Sequence, residues 1–211
     1  MTNLVESMKW RYSVNKFDTN KKLTDAQFDE LLQSIILSPS SYGLQPWKFI
    51  VVSNPEIRQK LKESGYGQEK FVDASHLIIF AVEKNIDDTL IDKYMSSVAS
   101  IRNMPIDALK GFADMIKGSL VNKTPEQRVE WATRQIYIAL GVLVAGAAAN
   151  NIDVGPMEGF DNGKFDEILG LDKMGLESKV AAAIGFRSID DAHALDKKVR
   201  YSKEEVVIEV K

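Results

Sequence analysis

The sequence predicts an α+β domain, and three observations carry that expectation. Apolar runs with strand character stand at residues 47–53, 76–82 and 179–186, far apart along the chain. The helical segments between them carry their own start signals and do not alternate regularly with the strands, which is the pattern of α+β rather than α/β architecture. At 211 residues, 45% hydrophobic and 27% charged, the chain has material for one domain with a substantial core and too little length for two. That domain spans 1–211, with a helical subregion at about 87–120.

Taken in order, residues 2–10 have the amphipathic character of a short helix. Thr24 and Gln27 are spaced as a capping box, so a second helix runs from there to about Leu37. Pro39 stops it, because the residue before a proline is pushed out of the helical region. Residues 47–53 follow as a strand. Asn54-Pro55 opens a helix with proline in the first turn, where the missing N–H has no partner to lose, and Gly65 and Gly67 end it. "HLIIFAV", residues 76–82, is apolar at consecutive positions and reads as a strand buried on both faces. Residues 87–120 read as two helices separated near Asn103-Met104-Pro105. Thr124-Pro125-Glu126-Gln127 repeats the capping-box signal and opens the strongest helix, which runs to about Asn150. Its second half, "IYIALGVLVAGAAA", is apolar all round but shorter than the roughly 20 residues of a membrane span, so it is expected as a buried central helix. Asp161 starts another helix to about Leu169, residues 179–186 form a third strand, and "EEVVIEV" near the C-terminus reads as a fourth, able to join its own sheet or another subunit's edge.

Composition excludes several functions. A formal net charge of −3 argues against a nucleic-acid surface, so any anion must be held by a local cluster. The absence of cysteine excludes disulfides and thiolate metal sites, and no N-terminal run has the apolar core of a signal peptide, so a cytoplasmic protein is expected, with no membrane partner. His76 and His193 have no metal-ligand spacing, and His76, at the mouth of a buried strand, reads as structural. "GFDNGKF" is one residue too short for a P-loop and has Phe165 where a Ser or Thr is needed. Neither a G-x-G-x-x-G after a strand nor a G-x-S-x-G elbow with Asp and His is present. Catalysis by side chains therefore has little support. What is left is a set of polar fragments: residues 11–15, the 38–46 loop, "GPMEGF" at 155–160, and 197–200. Alone, each reads as solvated charge or an ordinary turn, although ligand contacts do concentrate on loops held by a rigid scaffold.

Together and in order, "RYSVNKFD", "SPSSYGLQPWKFIVV", "DASHLIIFA", "EWATRQIYIALGVLVAGAAA", "GPMEGFD" and a terminal "KVR" resemble the FMN-dependent nitroreductase family, specifically the oxygen-insensitive bacterial NAD(P)H nitroreductases and their dihydropteridine reductase relatives. The resemblance covers nearly the whole chain. It implies a mixed, mostly antiparallel sheet flanked by helices, in an intertwined homodimer that exchanges C-terminal segments and holds FMN at the subunit interface. Arg11, Ser13, Lys198 and Arg200 would surround the FMN phosphate, a dianion suited to arginine forks, a lysine point charge and a hydroxyl, with Tyr12 and Asn15 in the same segment. Pro156, Met157, Glu158 and Gly159 would lie along the flavin, a backbone N–H of the turn donating to N5. Lys70 would reach the pyrimidine edge, where a cation offsets charge near N1. Pro39, Ser40 and Ser41 would approach from the other subunit, and Tyr42 and Phe112 would border the substrate.

Three positions depart from the family pattern. Asn15 stands where relatives carry Lys or Arg, Gly67 where many carry Asn, leaving either Gly67 or the neighbouring Gln68 against the ring, and Gly43 replaces an amide in the serine loop. The activity implied is hydride transfer from NADH or NADPH to the flavin and on to a small planar acceptor, a nitroaromatic or quinone, in ping-pong order and with no catalytic side chain. A flavin or dihydropteridine reductase is the alternative within enzymes, and a non-catalytic flavin-binding sensor or storage protein the alternative outside them.

Overall fold

The computed structural model describes residues 3–211. Four strands form one antiparallel sheet: β1 (Trp47–Val51), β2 (His76–Glu83), β3 (Asp153–Met157) and β4 (Leu176–Gly185), in the spatial order β1-β2-β4-β3. The run read as a strand buried on both faces is β2, whose residues from Leu77 to Val82 are all buried. Its period of two divides the core. Ile78, Phe80 and Val82 point to one apolar cluster, while Leu77 and Ile79 point to another on the opposite face.

Helices cover both faces. On the Ile78 side lie α2 (Asp25–Ile36), α5 (Asp88–Arg102), α6 (Lys110–Val121) and α7 (Pro125–Ala149), which bury Leu31, Ile91, Ile116 and Ile136. On the Leu77 side lie α3 (Pro55–Ser64), α4 (Lys70–Asp73) and α8 (Asn162–Leu169), contributing Leu61, Phe71 and Phe165. Both expected capping boxes form, at Thr24 with Gln27 and at Thr124 with Gln127. Two helices do occupy 87–120, parted by a 3-10 turn at Ile106–Leu109. The first helix, α1, is Leu4–Trp10, capped by the Asn3 side chain on the amide of Val5; Thr2, the other end of the expected 2–10 helix, lies outside the described residues.

The fourth strand of the sheet is not the C-terminal segment of the same chain. "EEVVIEV" gives one helical turn, α9 (Lys203–Val206), and then an exposed extended tail in which Ile208 and Val210 are 89% and 95% exposed. The place is taken by β3, "DVGPM", whose Gly and Pro read against a strand. Both residues have a reason. Pro156 is tolerated because β3 is an edge strand, and Gly155 is required because a Cβ there would lie 2.5 Å from the carbonyl oxygen of Val14, on the segment crossing the edge.

By length and composition α7 could cross a membrane. Here it packs against α2 and the sheet, with Ala132, Ile136, Ala139, Leu143 and Ala147 fully buried and Gly146 lying against Leu31 and Ser34 of α2. Burial all round is not achieved within one chain. Ile138 and Gly141 are exposed and Val142 and Ala145 only partly covered, a stripe at helical spacing, and Leu4 and Val5 of α1 are exposed as well.

Two glycine substitutions separate close approach from simple chain flexibility. Gly155→Ala should cost about 1–3 kcal/mol, the usual range for overpacking, because residues 13–15 must leave the edge of β3. Gly118→Ala, in α6 with nothing within 4 Å of its Cβ, should instead stabilise by up to about 1 kcal/mol through helix propensity. Denaturant unfolding of both variants measures the contrast; an unchanged midpoint for Gly155→Ala would contradict the packing described.

Candidate functional site

After α1 the chain runs extended across the edge of β3, with Ser13 bridging to Val154 in parallel register. Asp191 holds this segment in place. Its Oδ2 accepts from the Tyr12 hydroxyl and from the amides of Asn15 and Lys16, each at 3.0 Å, and its Oδ1 accepts from the amide of His193 at 3.1 Å. Burial alone would push this carboxyl up, but the backbone donors of Lys16, Asn15 and His193, with the Tyr12 hydroxyl, hold it below the ordinary carboxylate value. Burial and then the bond to Asp191 push the Tyr12 hydroxyl up, so it stays a donor.

A second anchor lies beside it. Arg187 reaches Asp153 through Nε at 3.0 Å and Nη2 at 2.6 Å, its backbone amide reaches the same carboxylate at 2.8 Å, and its guanidinium sits 4.1 Å from the ring centre of Trp10 and 4.6 Å from that of Tyr12. These contacts fix the start of the C-terminal segment against the N-terminal one and bring Lys198 to Arg11, whose carbonyl accepts from Lys198 Nζ.

The outcome is a cluster of cations. Burial first, and Arg200 second, lower the Arg11 pKa; burial, Arg11, Arg200 and Arg187 lower that of Lys198. Among the described residues, no acid forms an ion pair with Arg11, Lys198 or Arg200, and Arg11 Nε is buried without a hydrogen-bond partner. A buried donor left unsatisfied costs about 1–3 kcal/mol, more when charged. The donor set, three clustered cations and a buried N–H without a partner, is one that suits an anion. Of the expected clamp, Arg11, Lys198 and Arg200 are brought together, with Ser13 exposed two residues from Arg11.

Next along the edge come Lys70, Asn15 and the turn after β3. Lys70 is only 8% exposed, its Nζ donates to Asn15 Oδ1 at 3.4 Å, and burial lowers its pKa against a smaller opposing effect of Asp191. Gln68 spends its amide N–H groups inside the protein, on the carbonyls of Gly65 at 2.9 Å and Gly159 at 2.7 Å, so its free end is an acceptor. Gly67, with φ of +74°, is exposed with nothing near its Cβ position. Glu158 and Gly159 are exposed, Pro156 is partly covered, and the Met157 side chain belongs to the core, leaving its backbone for the site.

The serine loop forms a separate group. Ser41 donates its amide to buried Gln135 Oε1 at 2.8 Å, and Ser40 Oγ accepts from the amide of Gln45 at 3.0 Å; Pro39 is exposed. Tyr42, Gly43 and Gln45 all have positive φ, and at Gly43 a Cβ would lie 2.3 Å from the Tyr94 hydroxyl. This winding sends the Tyr42 ring to within 6.5 Å of Phe112 and 6.4 Å of Trp131. Tyr42 and Phe112 thus lie near one another, with Trp131 as a third ring the sequence did not single out. No hydrogen bond joins the serine loop to the Glu158 turn among the described residues.

Residues 8–186 match the sequence profile of the nitroreductase family. The chain belongs to the nitroreductase family. It is 32% identical over 213 residues to the oxygen-insensitive NAD(P)H nitroreductase of Salmonella typhimurium, covering 95% of this chain and 96% of that protein. A solved structure from Staphylococcus epidermidis, assigned as an NAD(P)H:FMN oxidoreductase, superposes with a TM-score of 0.84 at 25% identity, over 100% of this chain and 97% of that one. Another from Exiguobacterium sibiricum, assigned as a nitroreductase in complex with FMN, has a TM-score of 0.84 at 21% identity and shares the fold over 100% and 98% of the two chains. The profile ends before Lys198 and Arg200, so in this family member the second half of the cation cluster lies in the tail that follows.

Asp191, Asp153, Arg187, Gln135, Tyr137 and Trp131 escaped the reading of the sequence. Gln135 left a signal, as a polar residue in the apolar helix; Asp191 left none beyond being one of two adjacent aspartates.

Asp191→Asn should destabilise the protein by about 1–3 kcal/mol at pH 7, because one amide cannot accept from all four donors. A carboxylate with a depressed folded pKa contributes stability that is full above its unfolded value, near 3.9, and is lost as pH falls through the folded one. The difference between wild type and variant should therefore close on acidification below about pH 4. Urea titrations across that range measure it, and a gap that stays constant with pH would rule out the carboxylate as its source.

Proposed function

We propose that this chain is an FMN-dependent NAD(P)H oxidoreductase that reduces nitroaromatics, quinones or related planar acceptors. The observation that carries this reading is the uncompensated cluster of Arg11, Lys198 and Arg200 with its unpartnered Nε. A phosphate monoester, with two charges and three acceptor oxygens, fits that donor set, and the names of the S. epidermidis and E. sibiricum neighbours both include FMN. Arg11, Ser13, Lys198 and Arg200 would hold the phosphate; Lys70, Asn15 and the Glu158–Gly159 turn would face the ring. When bound, FMN would supply two-electron hydride chemistry, with NADH or NADPH as donor and the planar acceptor as second substrate in ping-pong order. The chain's own residues bind and orient. Tyr42, Phe112 and Trp131 offer flat apolar faces, which select for planarity rather than for one substituent.

Two features support a homodimer with composite sites. Gln135, which holds the serine loop, and Tyr137, which touches Glu158, are two residues apart on α7 and so roughly 200° apart around it. The loop and the turn thus sit on opposite sides of one helix, and a site that uses both takes them from different chains. The exposed stripe of Ile138, Gly141, Val142 and Ala145 and the exposed apolar tail from Val206 to Val210 are surfaces a second copy would cover, and the open edge of β1 is a place for that tail to add. The cytoplasm, with its NADH and NADPH, is the compartment this chemistry needs.

Purified protein should release FMN on denaturation, in equimolar amount with the chain, and the flavin absorbance should bleach within seconds when NADH or NADPH is added without oxygen. FAD, or no flavin even after reconstitution, would overturn the cofactor. Bound FMN that neither donor bleaches would favour a flavin-binding sensor or storage protein.

A further inference from the structure

The turn after β3 is fixed more firmly than an exposed turn requires. Glu158 and Gly159 are both exposed. Even so, Tyr137 donates its hydroxyl to Glu158 Oε1, Gln68 Nε2 donates to Gly159 O at 2.7 Å, Phe160 N closes on Glu158 O at 2.9 Å, and Asp161 N reaches Ser64 O at 3.1 Å. Two of these bonds come from side chains on separate elements, α7 and the segment before α4. Holding exposed side chains in one geometry costs rotamer freedom and adds little net stability. The arrangement delivers placement.

We propose that Tyr137 and Gln68 are positioning residues that hold the Glu158–Gly159 turn against bound flavin and thereby set its midpoint potential. The inference rests on the FMN reading above. Preorganised backbone donors act most strongly on groups where charge develops, because they need no reorganisation at that moment. Gln68 pins the Gly159 carbonyl and so the orientation of the turn. Tyr137 ties down the Glu158 carboxylate, which if released could swing toward the ring and disfavour added negative charge. Burial, and then the bond to Glu158, push the Tyr137 hydroxyl well above its ordinary value, so it remains a donor throughout the neutral range. Gly159 leaves the face open, since a Cβ there would meet only Gln68 Nε2, at 3.9 Å.

The test compares wild type, Tyr137→Phe, Gln68→Met, Glu158→Gln and Glu158→Gln with Tyr137→Phe. For each, apo-protein is titrated with FMN by fluorescence, melting is recorded, and the midpoint potential of bound FMN is measured by dye equilibration. In Tyr137→Phe, FMN should still bind and melting should hardly move, while binding of reduced relative to oxidised flavin falls about tenfold, which is a drop of about 30 mV for a two-electron couple. Gln68→Met should shift the potential in the same direction. In the Glu158→Gln background the tyrosine substitution should lose most of its effect, as expected for residues acting through one another. An unchanged potential in FMN-loaded Tyr137→Phe and Gln68→Met would overturn the positioning role. Wild-type protein that binds no FMN would overturn the cofactor reading itself, and this inference with it.

Discussion

Three positive charges held side by side without an acid among them are what the rest of the site is arranged around. In a protein with a net charge of −3, an unpaired cluster of Arg11, Lys198 and Arg200 is unfavourable on its own, both through mutual repulsion and through the buried, unpartnered Arg11 Nε. It persists because Arg11 and Lys198 arrive from the two ends of the chain on rigid supports. Asp191 ties the N-terminal segment to the start of the tail by three hydrogen bonds, and the Asp153–Arg187 pair ties that start to β3. Gly155 lets the segment lie close enough to the strand for both anchors to reach. Strand, glycine, aspartates and cations form one dependency.

The second constraint is α7. It is the longest helix described and packs against α1, α2, β2 and β3 on one face of the sheet. Its Trp131 and Gln135 hold the aromatic rings and the serine loop, while Tyr137 addresses the turn after β3. A helix that separates these groups within one chain also presents an apolar stripe to solvent. The same geometry places the Glu158 turn at the β3 edge and the serine loop with the aromatic rings elsewhere, and it is the ground on which a second chain is proposed to bring the two groups together.

Much of this was legible in the sequence where local chemistry decides structure. Thr24 with Gln27 and Thr124 with Gln127 are hydrogen-bonding patterns within one turn, so they formed where read. The consecutive apolar residues of β2 allow no other placement in a core. The fragments around Arg11 and Arg200 carried the family resemblance, and the structure brings them together. What was not legible depends on contacts between distant segments. "DVGPM" carries a Gly and a Pro that argue against a strand until the Val14 carbonyl is seen above Gly155, and "EEVVIEV" has strand character although the sheet of its own chain forms from four other segments. Asp191 is unremarkable as a letter and becomes central only when four donors converge on it. Met157, read as part of the cofactor site, turns its side chain to the core because the strand's alternation leaves it no other face.

A clamp for a phosphate makes one demand that a general flavin pocket does not: it must distinguish FMN from riboflavin, which has the same ring and no phosphate. Apo-protein and the Arg11→Ala, Arg200→Ala double variant can each be titrated with both ligands by flavin fluorescence. Hydrogen bonds to charged groups contribute roughly 1.5–3 kcal/mol each, so wild type should bind FMN at least about 100-fold more tightly than riboflavin, by the usual conversion of free energy to affinity, and the double variant should lose most of that preference while binding riboflavin as before. Wild-type protein that binds riboflavin as tightly as FMN, or a preference that survives loss of both arginines, would contradict the clamp and the reading of the cation cluster that depends on it.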